Sequence, residues 1–317
     1  MYQIKSFSDN PFMNTYQVIV DAHDRVGESP IWDVRAQCLW WVDIEGPFVR
    51  CAAQGASGAP ATLRSWRLPE RVGCIALTAT QGQLIAAMES GIALITLADD
   101  ASVGLQWLAR IEHPAPGMRF NDGRCDASGR LWVGTMVMDM SLASPMGGLY
   151  CLDERGLTGP HVTGMLTPNG LGMSPDGRTL YLSDSHPTVQ KIWAFDVNAD
   201  TGELSHRRVF VDMTLWPGRP DGAAVDAQGH YWICGNDAGQ VHAFDPAGQW
   251  VRSLTVPMHK PAMCAFGGAE LDQLFVTSII PAQTTEDTRG LSGAVIALQP
   301  GVRGMPEPIF SRFPVSA

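Results

Sequence analysis

Apolar residues in this chain gather in short, strand-length runs, and a polar turn leads into each of them. The unit begins at Ala36, Thr80, Asp126, Ser174, Asp226 and, more faintly, Gly268, and passes into apolar residues at Leu39, Leu84, Leu131, Leu180, Tyr231 and Leu274. Its clearest form is Asp-x-x-Gly, at Asp126 to Gly129 and Asp226 to Gly229. The Asp side chain bonds nearby backbone groups and the Gly accepts positive φ without a Cβ clash, so the tetrapeptide predicts a tight turn. Successive copies lie roughly 40 to 52 residues apart, which is the length of a four-stranded propeller blade rather than of a helical repeat.

A second apolar run follows each clear copy at short distance, as at Gly147 to Asp153, Lys191 to Asp196 and Gly239 to Asp245. Long helical periodicity is absent, and 33 Gly and 22 Pro among 317 residues give the chain a high turn-forming content. The pattern predicts an all-β fold, a six-bladed β-propeller with a central metal-binding channel, occupying residues 1–317 as a single domain with 1–16 as an N-terminal extension. Two stacked β-sandwiches fit less well, because sandwiches do not repeat at blade length. The Gly- and Ala-rich stretch 52–61 reads as an inter-strand loop, the Pro-rich end from Pro300 as a closing segment, and ring closure is expected to use both termini.

Composition narrows the partners. Acidic residues exceed basic ones by 32 to 22, a net charge of −10, whereas nucleic-acid binders need clustered Lys and Arg. No run of about 18 apolar residues predicts a membrane span, and the start of the chain lacks the charged, apolar and cleavage segments of a secretory signal, so a cytoplasmic protein is expected. The seven cysteines form no Cys-x-x-Cys pair and mostly fall in strand patterns, which predicts buried, reduced thiols.

In a propeller the innermost strand of each blade lines the axis, so the segment before each turn is the place to look for chemistry. Asn121, Asn169 and Asp221 each lie eight residues before a turn glycine, Gly129, Gly177 and Gly229. Equivalent phase predicts that the three converge, and Glu28 lies close to the same phase in the first unit. Singly, Asn169 and Asp221 also read as turn formers beside their glycines, and Glu28 as a solvated acid. Together, two carboxylates and an amide make a hard, oxygen-only set that favours Ca2+, Mg2+ or Mn2+ over a Cys/His zinc site. Ser29 and Ser183 lack the Gly-x-Ser-x-Gly elbow of serine hydrolases, and the eight histidines show no His-Glu-x-x-His spacing. His186 reads as a loop histidine near the mouth, and Trp216 as a top-loop aromatic ring able to stack on a ligand.

Gly27-Glu28-Ser29-Pro30, Arg119-Phe120-Asn121-Asp122-Gly123, Gly134-Thr135-Met136, Asn169-Gly170-Leu171, Pro220-Asp221-Gly222 and Phe266-Gly267-Gly268 together resemble the signature segments of the senescence marker protein 30/gluconolactonase/luciferin-regenerating-enzyme-like family, in order and over most of the chain. The resemblance implies a six-bladed fold, one divalent cation in the central channel and the opening of a small-molecule sugar lactone. Ca2+ ranks first for that cation, with Mg2+, Mn2+, Zn2+ or Fe2+ as alternatives. Carried over by position, the metal ligands are Glu28, Asn169 and Asp221, and the substrate contacts are Arg119 and Asn121. Asp139 stands where family members often carry a Glu, making it a shorter substrate-contacting candidate. Asp221 is also the expected catalytic base. A phosphotriester or other ester hydrolase on the same ion, and a non-catalytic interaction propeller with a structural ion, are the competing readings.

Overall fold

The computed structural model describes residues 15–53, 62–282 and 290–315. Its strands form six antiparallel four-stranded sheets. Five blades are each built from four consecutive strands, within residues 27–67, 72–110, 118–165, 168–212 and 219–255. The sixth takes three strands from 261–298 and its outermost strand, Tyr16–Val20, from the other end of the chain, through pairs such as Gln17 with Ala297. Both ends therefore close the ring. Of the extension expected at 1–16, residues 1–14 lie outside the described residues, and Tyr16 already opens that strand. Residues 54–61 of the Gly- and Ala-rich stretch also lie outside them.

Burial falls from the axis outward. The inner strands Gly27–Asp33, Val72–Leu77 and Pro261–Gly267 are buried at every position, because each is packed on both faces by neighbouring blades. This is why they show no alternation in sequence. Outermost strands such as Thr62–Arg67 are largely exposed and correspondingly polar. Between blades lie aromatic residues: Trp41, Trp132 and Trp232, from the strands after the turns, are buried, and Trp32 of the blade 1 inner strand stacks on Phe275 with ring centroids 5.4 Å apart and planes 12° apart. All seven cysteines are free and buried.

All six turn-plus-strand copies are the hairpin between the first and second strands of a blade. They lie at the C-terminal end of the inner strands, and the chain's last segment runs across that end. Gly304 pairs with Asp226 of blade 5, Phe310 N donates to Leu77 O of blade 2 at 2.7 Å, and Ser311 N donates to Gly129 O of blade 3 at 3.1 Å. Phe310 is fully buried there. With Gly304 N also donating to Leu271 O of blade 6 at 2.8 Å, the closing segment straps four blades at one end of the axis, and the candidate site residues stand at the other.

Candidate active and metal site

Every candidate inner-strand residue sits in the N-terminal half of its strand, beside an interruption in pairing. In blade 3 (Met118–Cys125) the register passes from Phe120 opposite Thr135 to Gly123 opposite Val133, leaving Asn121 and Asp122 unpaired. Blade 5 (Arg219–Val225) leaves Asp221 and Gly222 unpaired in the same way. Such bulges re-aim side chains that a regular pleat would send into the blade interface. Blades 1 and 4 differ by one residue. Glu28 and Asn169 are still paired, with Val42 and Ser183, and the residue after each turns left-handed, Ser29 at φ 51° and Gly170 at φ 61°.

Asn169 keeps the count of Asn121 and Asp221, each standing four residues before the last inner-strand pair (Met173 with Leu180, Cys125 with Leu131, Val225 with Tyr231), but in blade 4 the interruption falls one residue later, at Gly170 and Leu171. Asn169 and Asp221 are not turn formers, because both lie within strands. Their glycines serve close approach at the axis. A Cβ on Gly170 would stand 2.5 Å from the Tyr231 hydroxyl, and one on Gly222 would stand 2.3 Å from the Met263 Cβ, so any larger residue pushes the blades apart.

The side chains meet in one hydrogen-bonded series. Arg119 Nη1 donates to Asn121 Oδ1 at 2.5 Å, Asn121 Nδ2 to Asn169 Oδ1 at 2.9 Å, and Asn169 Nδ2 to Asp221 Oδ1 at 2.8 Å. Asn236 Nδ2 completes the series on Asp221 Oδ2 at 2.6 Å. Each of these residues is at most 9 % exposed, so their polar atoms depend on one another rather than on bulk water. Glu28 enters from blade 1, and its carboxylate takes a 3.2 Å bond from the adjacent Ser29 N. Burial, then repulsion from Asp221 and Asp122, pushes the Glu28 carboxyl well above the usual carboxylate range. Burial likewise pushes Asp221 up to about 7 against the opposing pull of Arg219, and Asp122 up to about 6.

Asp139 is not brought into this series. It stands exposed beyond the inner ring and caps a short 3-10 helix, Met140–Leu142, its Oδ1 accepting from Ser141 N at 3.0 Å and Ser141 Oγ at 2.6 Å. His186 is a satisfied loop histidine that joins that helix to blade 4 through Met140 O at 3.1 Å. Trp216 has one face against Trp250, with centroids 5.8 Å and planes 16° apart, and its edge toward Phe244. It packs between strands.

The donor set can hold a hard cation. Among the described residues no three His, Cys, Asp or Glu side chains form a metal cluster, and the axial set is instead the Glu28 and Asp221 carboxylates with the Asn169 amide, which is bonded to Asp221. Asp221 spends one lone pair of each oxygen on an amide and keeps the others. Two mutually repelling, buried carboxylates lacking a full complement of donors are what a divalent ion relieves, and all the oxygens are of the type Ca2+ and Mg2+ accept.

Residues 26–280 match the model of the SMP-30/gluconolactonase/LRE-like region. The chain belongs to that family. It is 35 % identical to a 6-deoxy-6-sulfogluconolactonase of Pseudomonas putida, over 94 % of this chain and 99 % of the relative. It is 32 % identical to a pentonolactonase of Haloferax volcanii, over 91 % and 96 % respectively. Among solved structures, a regucalcin of Agrobacterium tumefaciens described as a calcium-binding protein superposes with a TM-score of 0.83 at 28 % identity, covering 95 % of this chain and 98 % of that one. The six-bladed fold expected from the repeats is the fold of this family member.

Two buried polar residues beside the axial series are not among the sequence candidates. Asn236 ends the second strand of blade 5 (Tyr231–Asn236), away from the inner strands. Asp122 lies inside the Asn-Asp-Gly segment, where the sequence alone assigns it no role. In the fold its Oδ2 accepts from Leu171 N at 2.8 Å, which fixes the blade 4 bulge just after Asn169, and its Oδ1 is buried without a partner. A periodicity would have pointed to Asn236. The last residues of the second strands are Asp43, Met88, Val137, Asp184, Asn236 and Ser278, polar in four blades of six.

Among the described residues, no helix is long and apolar enough to cross a membrane.

Proposed function

We propose that this protein is a metal-dependent sugar lactonase, a hydrolase that opens the ester ring of an aldonolactone to the aldonic acid. The observation that carries the reading is the buried Arg119–Asn121–Asn169–Asp221 series with Glu28 beside it, in a chain whose full-length relatives are named as sugar lactonases. Glu28, Asn169 and Asp221 would hold one divalent cation, Ca2+ first. That ion supplies Lewis-acid polarisation of the lactone carbonyl, worth several kcal/mol in a water-poor site.

The chain's own residues do the rest. Arg119 is anchored through Nη1 to Phe120 O and Asn121 Oδ1, and its Nε is buried without a partner, so the guanidinium is fixed on one side and has a donor to offer a lactone oxygen. Asn121 is held at both ends of its amide, by Arg119 on Oδ1 and by Asn169 Oδ1 and Pro168 O on Nδ2, which leaves one Oδ1 lone pair to accept from a ring hydroxyl at little entropic cost. Asp221 accepts the proton of the attacking water on an oxygen lone pair and returns it to the departing ring oxygen. Asp139, at the rim, makes at most a peripheral contact with a larger substrate.

A panel of five- and six-membered aldonolactones, assayed with EDTA-stripped and cation-replete protein, tests the proposal. Cation-dependent lactone opening supports it. Phosphotriester turnover without lactone opening indicates the alternative hydrolase, and absence of any turnover while the cation still raises thermal stability indicates a structural ion.

A further inference from the structure

The position that ends the second strand of a blade faces the first residue of the inner strand, and the blades use it differently. Asp43 pairs with Gly27 and its Oδ1 accepts from Val26 N at 3.1 Å. Asp184 pairs with Pro168 and accepts from Leu166 N at 2.8 Å and Thr167 N at 3.0 Å. In both blades an acid pins the backbone that enters the inner strand. Blade 5 carries an amide instead. Asn236 pairs with Arg219, and its side chain turns to the axis and donates to Asp221 Oδ2 at 2.6 Å. A carboxylate in this place has no hydrogen to donate and would repel Asp221.

The direction of that amide is set from the rim. Asn236 Oδ1 accepts from Arg219 Nη2 at 3.4 Å, so the oxygen faces the guanidinium and the NH2 faces Asp221. Arg219 is held in turn by Asp237 Oδ2 at 2.6 Å and by Ser185 O at 3.1 Å. Asp237 adopts a left-handed φ of 72° and also receives Lys260 Nζ. The series Lys260–Asp237–Arg219–Asn236 ties the mouth of blades 5 and 6 to one oxygen of Asp221, while Asn169 holds the other. Asn236 is 1 % exposed, so water cannot replace its donor.

We infer that Asn236 is a positioning residue for the axial cation site: it fixes the plane of the Asp221 carboxylate so that Asp221 presents its remaining lone pairs toward Glu28 and Asn169. The inference rests on the proposed cation site. Hydrogen-bond partners of metal ligands typically govern affinity by about 10- to 100-fold, through ligand orientation rather than through direct coordination.

The test uses the full chain with Asn236→Leu, which keeps the Cγ branch but removes the donor and adds volume, and Asn236→Ser, which shortens the side chain and so perturbs packing in the opposite sense. Ca2+ affinity is measured by calorimetry on EDTA-stripped protein, together with apo melting temperature and kcat as a function of cation concentration. The expected result is a Ca2+ Kd raised about 10- to 100-fold in both variants, an apo melting temperature near that of the wild type, and kcat largely restored at saturating cation. A Kd within twofold of wild type in either folded variant overturns the inference, and so does an affinity loss that only tracks a falling apo melting temperature. Failure of the wild type to bind any divalent cation refutes the proposed cation site and this inference with it. Wild-type binding with unaltered variants refutes the inference alone.

Discussion

Asp126 and Asp226 stand at one end of the inner strands of blades 3 and 5, and Asp122 and Asp221 stand toward the other, four and five residues earlier in the chain. All four are buried. At the turn end the chain supplies what burial demands. Asp126 accepts from Ser128 N, Arg130 N, Arg130 Nε and Trp132 Nε1 at 2.9 to 3.1 Å, and Asp226 accepts from Gln228 N, His230 N, His230 Nδ1 and Trp232 Nε1 at 2.9 to 3.0 Å. At the axial end Asp122 has an oxygen without a partner, Asp221 has two amides, and the nearby Glu28 has one backbone bond. The same residue type is a finished structural element in one place and an unfinished binding element in the other. The axial carboxylates need positive charge that the fold only partly provides.

The comparison breaks most sharply by deleting one member from each end. Asp221→Ala is expected to reduce lactone turnover by about a thousandfold or more, the loss of roughly 4 kcal/mol of transition-state stabilisation, and to abolish calorimetric cation binding. Apo stability should fall by less than it does in Asp126→Ala, because relief of carboxylate repulsion offsets the acceptor lost to the buried Asn169 and Asn236 amides. Asp126→Ala should do the reverse. It leaves the buried Arg130 guanidinium without its carboxylate and is expected to cost about 3 to 5 kcal/mol in denaturant unfolding, with cation affinity unchanged in the protein that folds.

Arg119→Ala sharpens the division within the axial end. Arg119 is no ligand in this account, so a 10- to 100-fold loss in kcat/KM, about 1.4 to 2.7 kcal/mol, should fall mainly on KM in steady-state kinetics while the cation Kd stays put.

Acidity provides the gentlest test. Burial raises Glu28 and places Asp221 at about 7 and Asp122 at about 6 in the cation-free protein, all above the ordinary value near 4. Between those limits the folded chain retains protons that the unfolded chain has released, so apo stability should fall as pH rises from about 4 to 7. A cation displaces the same protons, so its affinity should climb across that window, by up to about tenfold per pH unit for each proton released. Chemical denaturation and calorimetry at several pH values read both trends. A cation affinity that is flat with pH contradicts the assignment of these carboxylates.

Much of this arrangement was legible in sequence. The Asp-x-x-Gly turns recur because each blade needs the same hairpin and fills it with the same local chemistry, so the six blades and the ring could be counted before any coordinates. Asn169 and Asp221 stand out by their count to the turn glycines and Glu28 by a nearby phase, and the family resemblance makes all three the expected ligands. What stayed hidden depends on pairing. Asn169 matches Asn121 and Asp221 in its count to the turn, yet the blade 4 bulge begins one residue later and leaves it paired with Ser183. Asn236 belongs to another strand, and only register brings it to Asp221. Asp139 matched a family position but spends its carboxylate on Ser141, a local capping bond that competes with any distant role.

The most direct measurement is a calorimetric titration of EDTA-stripped protein with Ca2+, run beside the same titration on Glu28→Ala and Asp221→Ala and paired with lactone turnover on each sample. One cation per wild-type chain, turnover that returns as that cation binds, and neither in the two variants is the predicted result. Full lactone turnover by stripped wild type, or by Asp221→Ala, would contradict the claim that these three oxygens hold the ion on which the reaction depends.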